Sequence, residues 1–191
     1  MIPTALAAIG WMLLALGRAE AAVRFGDPLF LLAAAPAALS AFRLVFRREA
    51  LREAPPLQRG VAWAGAVLPL FLRGQQPSSP IAWGAAAGGL IFALWALVSL
   101  GDAFGIAPAY RGRIVVRGPY RLLRHPAYAG ELLSLTAFAA THPTPANLVI
   151  LNAIAAILAA RAIWEERILM EDPDYARYAE RVRWRMVPFI W

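Results

Sequence analysis

The sequence predicts an all-α fold, a polytopic transmembrane helix bundle. Three observations carry this. Of 191 residues, 60% are hydrophobic and 16% charged, which leaves too little polar surface to cover a soluble domain and points to lipid as the solvent. The apolar residues fall into six runs divided by short polar stretches. The basic residues, 19 in number and all arginine, gather in alternate loops.

The six runs are 2–16, 28–42, 61–72, 81–100, 127–140 and 147–160. A bilayer crossing needs about 20 apolar residues. Only 81–100 meets this unaided; the others reach it when flanking Gly, Trp, Tyr and snorkelling Arg are counted. The first run lacks a positive leader and a small-residue cleavage site, so it reads as a retained helix rather than a signal peptide. The third, 61–72, is short and carries Pro69. Six spans are preferred; if this run does not cross, five remain. Pro55-Pro56 and the stretch 75–80 read as turns. The tryptophans lie mostly near run ends, as an interfacial belt would place them.

Arginine placement orients the path. The loops 43–59 and 101–125 and the C-terminal tail hold 16 of the 19 arginines, and the alternate loops hold only Arg18, Arg24 and Arg73. The positive-inside rule then puts both termini in the cytoplasm. The net charge of +7 therefore reads as membrane-facing rather than as a nucleic-acid surface. Arginine without lysine, beside abundant Ala, Gly and Pro, suits a GC-rich bacterial genome and hence a bacterial inner membrane. Cysteine is absent and histidine occurs only at His125 and His142. A thiolate nucleophile, a disulfide framework and a Cys-based metal site are thereby excluded, and two histidines argue against a His-rich one.

Residues 1–100 carry no recognisable motif; the chemistry-bearing side chains lie in 101–191. They cluster in 117–131 (RGPYRLLRHPAYAGE) and 161–188 (RAIWEERILMEDPDYARYAERVRWRMVP). The two runs between these stretches, joined by a turn at 141–145, bring both back to one face of the membrane. Gly118-Pro119 favours a turn. Pro126 suits the first position of a helix, whose free N–H groups make a site for an anion beside Arg124 and His125. The same residues equally suit an ordinary helix start with a basic loop. Glu131 lies about one turn into an apolar helix, either as a functional group with a partner or as a shallow carboxylate near the helix dipole. Arg161 and Glu165 share a helix face, while Glu165 and Glu166 point about a hundred degrees apart. Asp172-Pro173 reads as a cap and first turn. It opens a short helix with Tyr175, Tyr178 and Arg181, which an interfacial amphipathic helix would also explain.

Taken together, GPY at 118–120, RHPxYxGE at 124–131, the Glu165-Glu166 pair, Tyr175-x-x-Tyr178 and an Arg-rich stretch ending at Pro188 resemble the isoprenylcysteine carboxyl methyltransferases. Phospholipid N-methyltransferases are relatives with a similar pattern. Membrane sterol reductases share an RHPxYxGE element, and the Glu pair with the Tyr pair weighs toward the methyltransferases. The resemblance covers about 118–190. It implies S-adenosylmethionine as cofactor, at a cytoplasmic site between the 101–125 loop and the tail. Tyr120, His125, Pro126, Tyr128, Glu131 and Glu166 would bind it. Arg161 and Glu165 would be catalytic, and Tyr175, Tyr178 and Arg181 would bind substrate. The implied acceptor is a lipophilic or amphipathic small molecule offering a carboxylate or an amine, with no metal required. A nicotinamide-dependent reductase on a similar scaffold is the alternative enzyme, and a non-catalytic membrane protein the alternative outside catalysis.

Overall fold

A computed structural model of the protein describes residues 4–74 and 79–191. Ile2, Pro3 and most of the 75–80 turn, namely 75–78, lie outside the described residues. Seven helices account for nearly all regular structure: α1 (Thr4–Phe25), α2 (Pro28–Phe46), α3 (Pro56–Val67), α4 (Pro80–Leu100), α5 (Pro126–Thr141), α6 (Pro145–Leu169) and α7 (Pro173–Arg181). Two strands of two residues, β1 (Arg52–Glu53) and β2 (Ala109–Tyr110), pair antiparallel with Arg52 opposite Tyr110.

Local chemistry explains where the helices begin. All but α1 start with proline, whose missing N–H costs nothing in a first turn. In α2, α4, α6 and α7 a side chain just before the proline then receives a free N–H. Asp27 accepts from Leu29 N over 2.8 Å, Ser79 from Ala82 N over 3.1 Å, Thr144 from Asn147 N over 3.2 Å and Asp172 from Asp174 N over 2.8 Å. Such caps each contribute about 1 kcal/mol.

Four helices, α1, α2, α4 and α6, are long and apolar enough to cross a membrane. The other two of the six expected spans correspond to the shorter helices α3 and α5. α3 has 12 residues and α5 has 16, about 18 and 24 Å at 1.5 Å per residue, against a hydrocarbon core of about 30 Å. Yet both short helices run between the same two ends of the bundle as the long ones. At one end, Arg73 N donates to Asn147 Oδ1 over 2.9 Å, while Asn147 Nδ2 reaches Arg73 O and His142 O over 2.7 and 2.9 Å. Trp83 Nε1 reaches Asp27 there over 3.2 Å. These contacts gather the α1–α2 turn, the exit of α3, the start of α4 and the α5–α6 turn. At the other, polar end, Arg48 pairs with Asp102 over 2.6 Å, Arg52 with Glu171, and Tyr110 OH with Asp172. α3 bridges the two ends by continuing through a 3-10 turn at Leu68–Phe71.

Small residues set the closest packing. A Cβ placed on Gly89 of α4 would lie 2.6 Å from Gly130 O of α5, and one on Gly130 would lie 2.5 Å from Gly89 O and 2.6 Å from Ala93 N. The two backbones touch directly, as small-residue seams permit in lipid. Elsewhere Ile154 and Leu158 of α6 pack on Met186 of the tail, which draws the tail back over the bundle. Trp11 and Trp63 pack against the cluster of Leu44 and Phe104.

Candidate active site

The start of α5 is held from three sides. Gly118 adopts φ +60°, and a Cβ there would sit 2.5 Å from Ser99 Oγ, so only glycine lets the 118–121 turn lie against α4. Tyr178 OH of α7 donates to Tyr120 O over 2.7 Å. The tail then pairs as a short ribbon, with Arg124 N donating to Trp184 O over 2.9 Å and His125 N to Arg185 O over 2.8 Å.

Here α6 arrives with its two adjacent carboxylates, and their surroundings differ. Glu166 is 4% exposed. Its Oε1 accepts from His125 Nε2 over 3.1 Å, and its Oε2 meets Arg124 Nη1 over 3.0 Å and Arg185 Nε over 2.9 Å. Glu165 turns the other way. Tyr128 OH donates to its Oε2 over 2.9 Å, and His125 Nδ1 lies 3.8 Å from that atom. His125 stacks on Tyr128 with ring centroids 5.4 Å apart, and the Arg161 guanidinium lies 4.7 Å from the Tyr128 centroid. Imidazole, phenol ring and guanidinium therefore form one column, with Arg161 Nη2 anchored on Ile106 O over 2.6 Å.

This column is one wall of a cavity of about 490 Å³. Its polar end is lined by Arg111, Arg124, His125, Glu131, Arg161 and Glu165, with Tyr120, Tyr128, Tyr175 and Tyr178. The remainder runs among α1, α2, α4 and α5 past Leu14, Leu29, Ala33, Leu90 and Leu135. Four buried donors at the polar end, Arg111 Nε, Arg124 Nε, Arg161 Nε and Tyr175 OH, have no hydrogen-bond partner among the described residues. Buried polar groups are normally satisfied, so these suit a polar ligand. Burial pushes the phenols of Tyr120, Tyr175 and Tyr178 above the usual tyrosine range, and Glu166 and Glu165 add to the effect at Tyr175. All three are neutral donors at physiological pH. Among the described residues no group of three His, Asp or Glu side chains is placed to hold a metal ion.

Most residues singled out from the sequence converge on the cavity: Tyr120, His125, Tyr128, Glu131, Arg161, Glu165, Tyr175 and Tyr178. Three do not line it. Pro126 is fully buried in the first turn of α5. Glu166 stands behind the wall, occupied by Arg124, Arg185 and His125. Arg181 is exposed, donates to Arg177 O over 3.3 Å and faces an outer groove with Asp174 and Glu180. Sequence reasoning missed Arg111 and the tail ribbon that carries Arg185. The signal for Arg185 was its place in a basic run ending at Pro188; nothing distinguished Arg111 from its neighbours.

A bundle with four crossing-length apolar helices among the described residues, enclosing a cavity whose polar groups concentrate at one end, has the character of an integral membrane protein. Residues 81–173 match the model of the phospholipid methyltransferase family. The match takes in just under half of the chain and supports a membrane methyltransferase family of the isoprenylcysteine carboxyl methyltransferase and phospholipid methyltransferase kind. The matched stretch takes in α4, α5 and α6 and ends before Tyr175. No curated protein matches the chain.

Proposed function

We propose that the protein transfers a methyl group from S-adenosylmethionine to a lipophilic or amphipathic acceptor at the polar end of the cavity. The observation that carries this reading is the meeting of eight sequence-named residues on one cavity that also holds unpartnered buried donors. The cofactor supplies an electrophilic methyl group on a sulfonium. Its functional groups match the residues present. Glu165 and Glu131 suit its ammonium. Arg124 and the α5 N-terminus suit its carboxylate. The faces of Tyr120 and Tyr128 suit its adenine or sulfonium. Glu166 acts one step removed, as a positioning residue that holds Arg124, His125 and Arg185 together.

Arg161 orients the acceptor, and the apolar part of the cavity holds its tail. Holding the acceptor in line with the methyl group supplies much of the rate. A carboxylate acceptor is already ionised and needs no base. An amine must lose a proton, and Glu165 or His125, both on the cavity wall, is the base. The side with 16 of the 19 arginines faces the cytoplasm, in a bacterial inner membrane, with both termini on that side. Calorimetric titration of the detergent-purified protein with S-adenosylhomocysteine, and separately with NADPH, tests the reading. Saturable binding of the first alone is expected. Binding of NADPH alone would move the protein to the reductases, and binding of neither by folded protein would remove the catalytic reading.

A further inference from the structure

The cavity also reaches a charged group at the other end of the bundle. Thr4, which opens α1, accepts from Arg47 Nη2 over 3.4 Å and so stands at the polar end. Arg18 of the same helix lies about 21 Å further along at 1.5 Å per residue. At that end the cavity wall is formed by Arg18 with Phe30, Gly74 and Phe138. Phe30 is in the first turn of α2 and Phe138 in the last turn of α5, and a Cβ on Gly74 would lie 2.6 Å from the His142 ring. Arg18 continues the inward stripe of Trp11 and Leu14, whereas Leu13 and Leu16 face outward. Among the described residues it makes no hydrogen bond or ion pair, and no carboxylate acts on its charge. The carboxylates on the cavity wall, Glu131 and Glu165, belong to the polar end. Asp27, at the end where Arg18 lies, already accepts from Leu29 N and Trp83 Nε1, and Glu20 is exposed and off the cavity. An ionisable group inside a membrane helix normally has a partner and marks the path of a ligand. A cation alone among apolar groups is costly. What this end of the cavity lacks is an anion.

We infer that Arg18 binds an anionic oxygen group at the remote end of a long-chain ligand, so that one molecule polar at both ends fills the cavity. The wall between the two ends is apolar, with Leu14, Ala33, Leu90 and Leu135. Along α4 it runs from Ala86 to Leu100, about 21 Å, against a hydrocarbon core of about 30 Å. The ligand therefore has a chain long enough to cross most of the bilayer, and its second head is held by a guanidinium, which matches a carboxylate in a bidentate way. The near end of this ligand rests on the methyltransferase reading; the far end rests on Arg18 alone. Arg18 is thus a specificity residue, separating two-headed chains from single-headed ones at a distance from the reacting groups.

The test uses the full chain in an uncharged detergent. Hexadecanedioate, with a carboxylate at each end, and hexadecanoate, with one, are titrated calorimetrically into wild type, Arg18→Gln and Arg18→Lys. S-adenosylhomocysteine is titrated into all three. Arg18→Gln should weaken hexadecanedioate roughly tenfold or more and hexadecanoate by less than about twofold. Arg18→Lys should recover part of the loss, and S-adenosylhomocysteine affinity should agree within about twofold across the three, which also shows that the variants are folded. No binding of hexadecanedioate by wild type, or no loss on Arg18→Gln, would overturn the inference. An equal loss for both chains would overturn it too, because Arg18 would then hold a single-headed lipid of its own leaflet. Failure of wild type to bind S-adenosylhomocysteine, with the dioate loss still present in Arg18→Gln, would remove the methyltransferase reading and leave the two-ended cavity standing.

Discussion

Glu165 and Glu166 are adjacent in sequence and predict opposite phenotypes. Glu166→Gln removes the one negative charge shared by Arg124, Arg185 and His125. Breaking one side of a buried ion pair costs about 3–5 kcal/mol. The figure is discounted here because the Arg185 side chain is 32% exposed and recovers solvation, and because Arg124 keeps its bond to Arg183 O over 2.9 Å. A loss of about 2–4 kcal/mol remains, on the order of 5–10 °C in midpoint for a chain this size. The tail ribbon should loosen first, since Arg185 is held on both its backbone and its side chain. Glu165→Gln removes a cavity-lining carboxylate whose one hydrogen bond among the described residues comes from Tyr128. It should keep the wild-type midpoint within about 2 °C and lose tenfold or more in S-adenosylhomocysteine affinity, the loss of one charged contact to an ammonium. The assay pairs thermal unfolding in detergent with ligand titration and amide exchange over 183–187. Equal stability of the two variants, with loss of ligand in Glu166→Gln alone, would refute the division of labour.

Three further outcomes are expected. Gly130→Leu should abolish folded protein, because backbone atoms of Gly89 and Ala93 stand within 2.6 Å of a Cβ there; monodisperse elution of this variant at wild-type yield would show that the α4–α5 seam is not as drawn. Arg161→Leu should lower turnover by at least about a hundredfold while changing S-adenosylhomocysteine affinity by less than fivefold, and parallel loss of both would assign Arg161 to the cofactor instead. Ultraviolet titration should find Tyr175 and Tyr178 still protonated well above pH 10. Their folded values are raised above the unfolded 10.0, so their contribution to stability is complete below pH 10 and declines as pH rises beyond it. Two buried phenols that ionise normally in the folded protein would contradict their placement.

Much of the site was legible because its determinants are local. Pro126 and Pro173 announce helix starts, and the turn between α5 and α6 folds one polar stretch onto another. Which of Glu165 and Glu166 looks inward was not legible. A hundred-degree step separates them, and the choice rests on where Arg185 comes to lie nineteen residues later. Arg111 was one of five arginines in its loop. Its burial depends on Arg48 O and on the absence of a side chain at Gly105, both tertiary facts. The lengths of α3 and α5 were less legible, because proline bounds or interrupts both. α5 begins at Pro126, and the 3-10 turn Leu68–Phe71 that continues α3 holds Pro69.

The seam between α4 and α5 has a bearing on how a molecule with a long tail gets in. Where Gly89 meets Gly130 there is backbone against backbone, with no side chain to swing aside. That wall works as a door frame. α1 touches the cavity only through Trp11, Leu14 and Arg18, one helical stripe, while Leu6, Leu13 and Leu16 face outward. Moving α1 breaks side-chain contacts that can re-form around a guest, whereas parting the seam exposes peptide groups to hydrocarbon. Under the proposed function, an opening for a tailed acceptor therefore lies elsewhere than between α4 and α5, and the headgroup end of the site keeps the geometry this seam gives it.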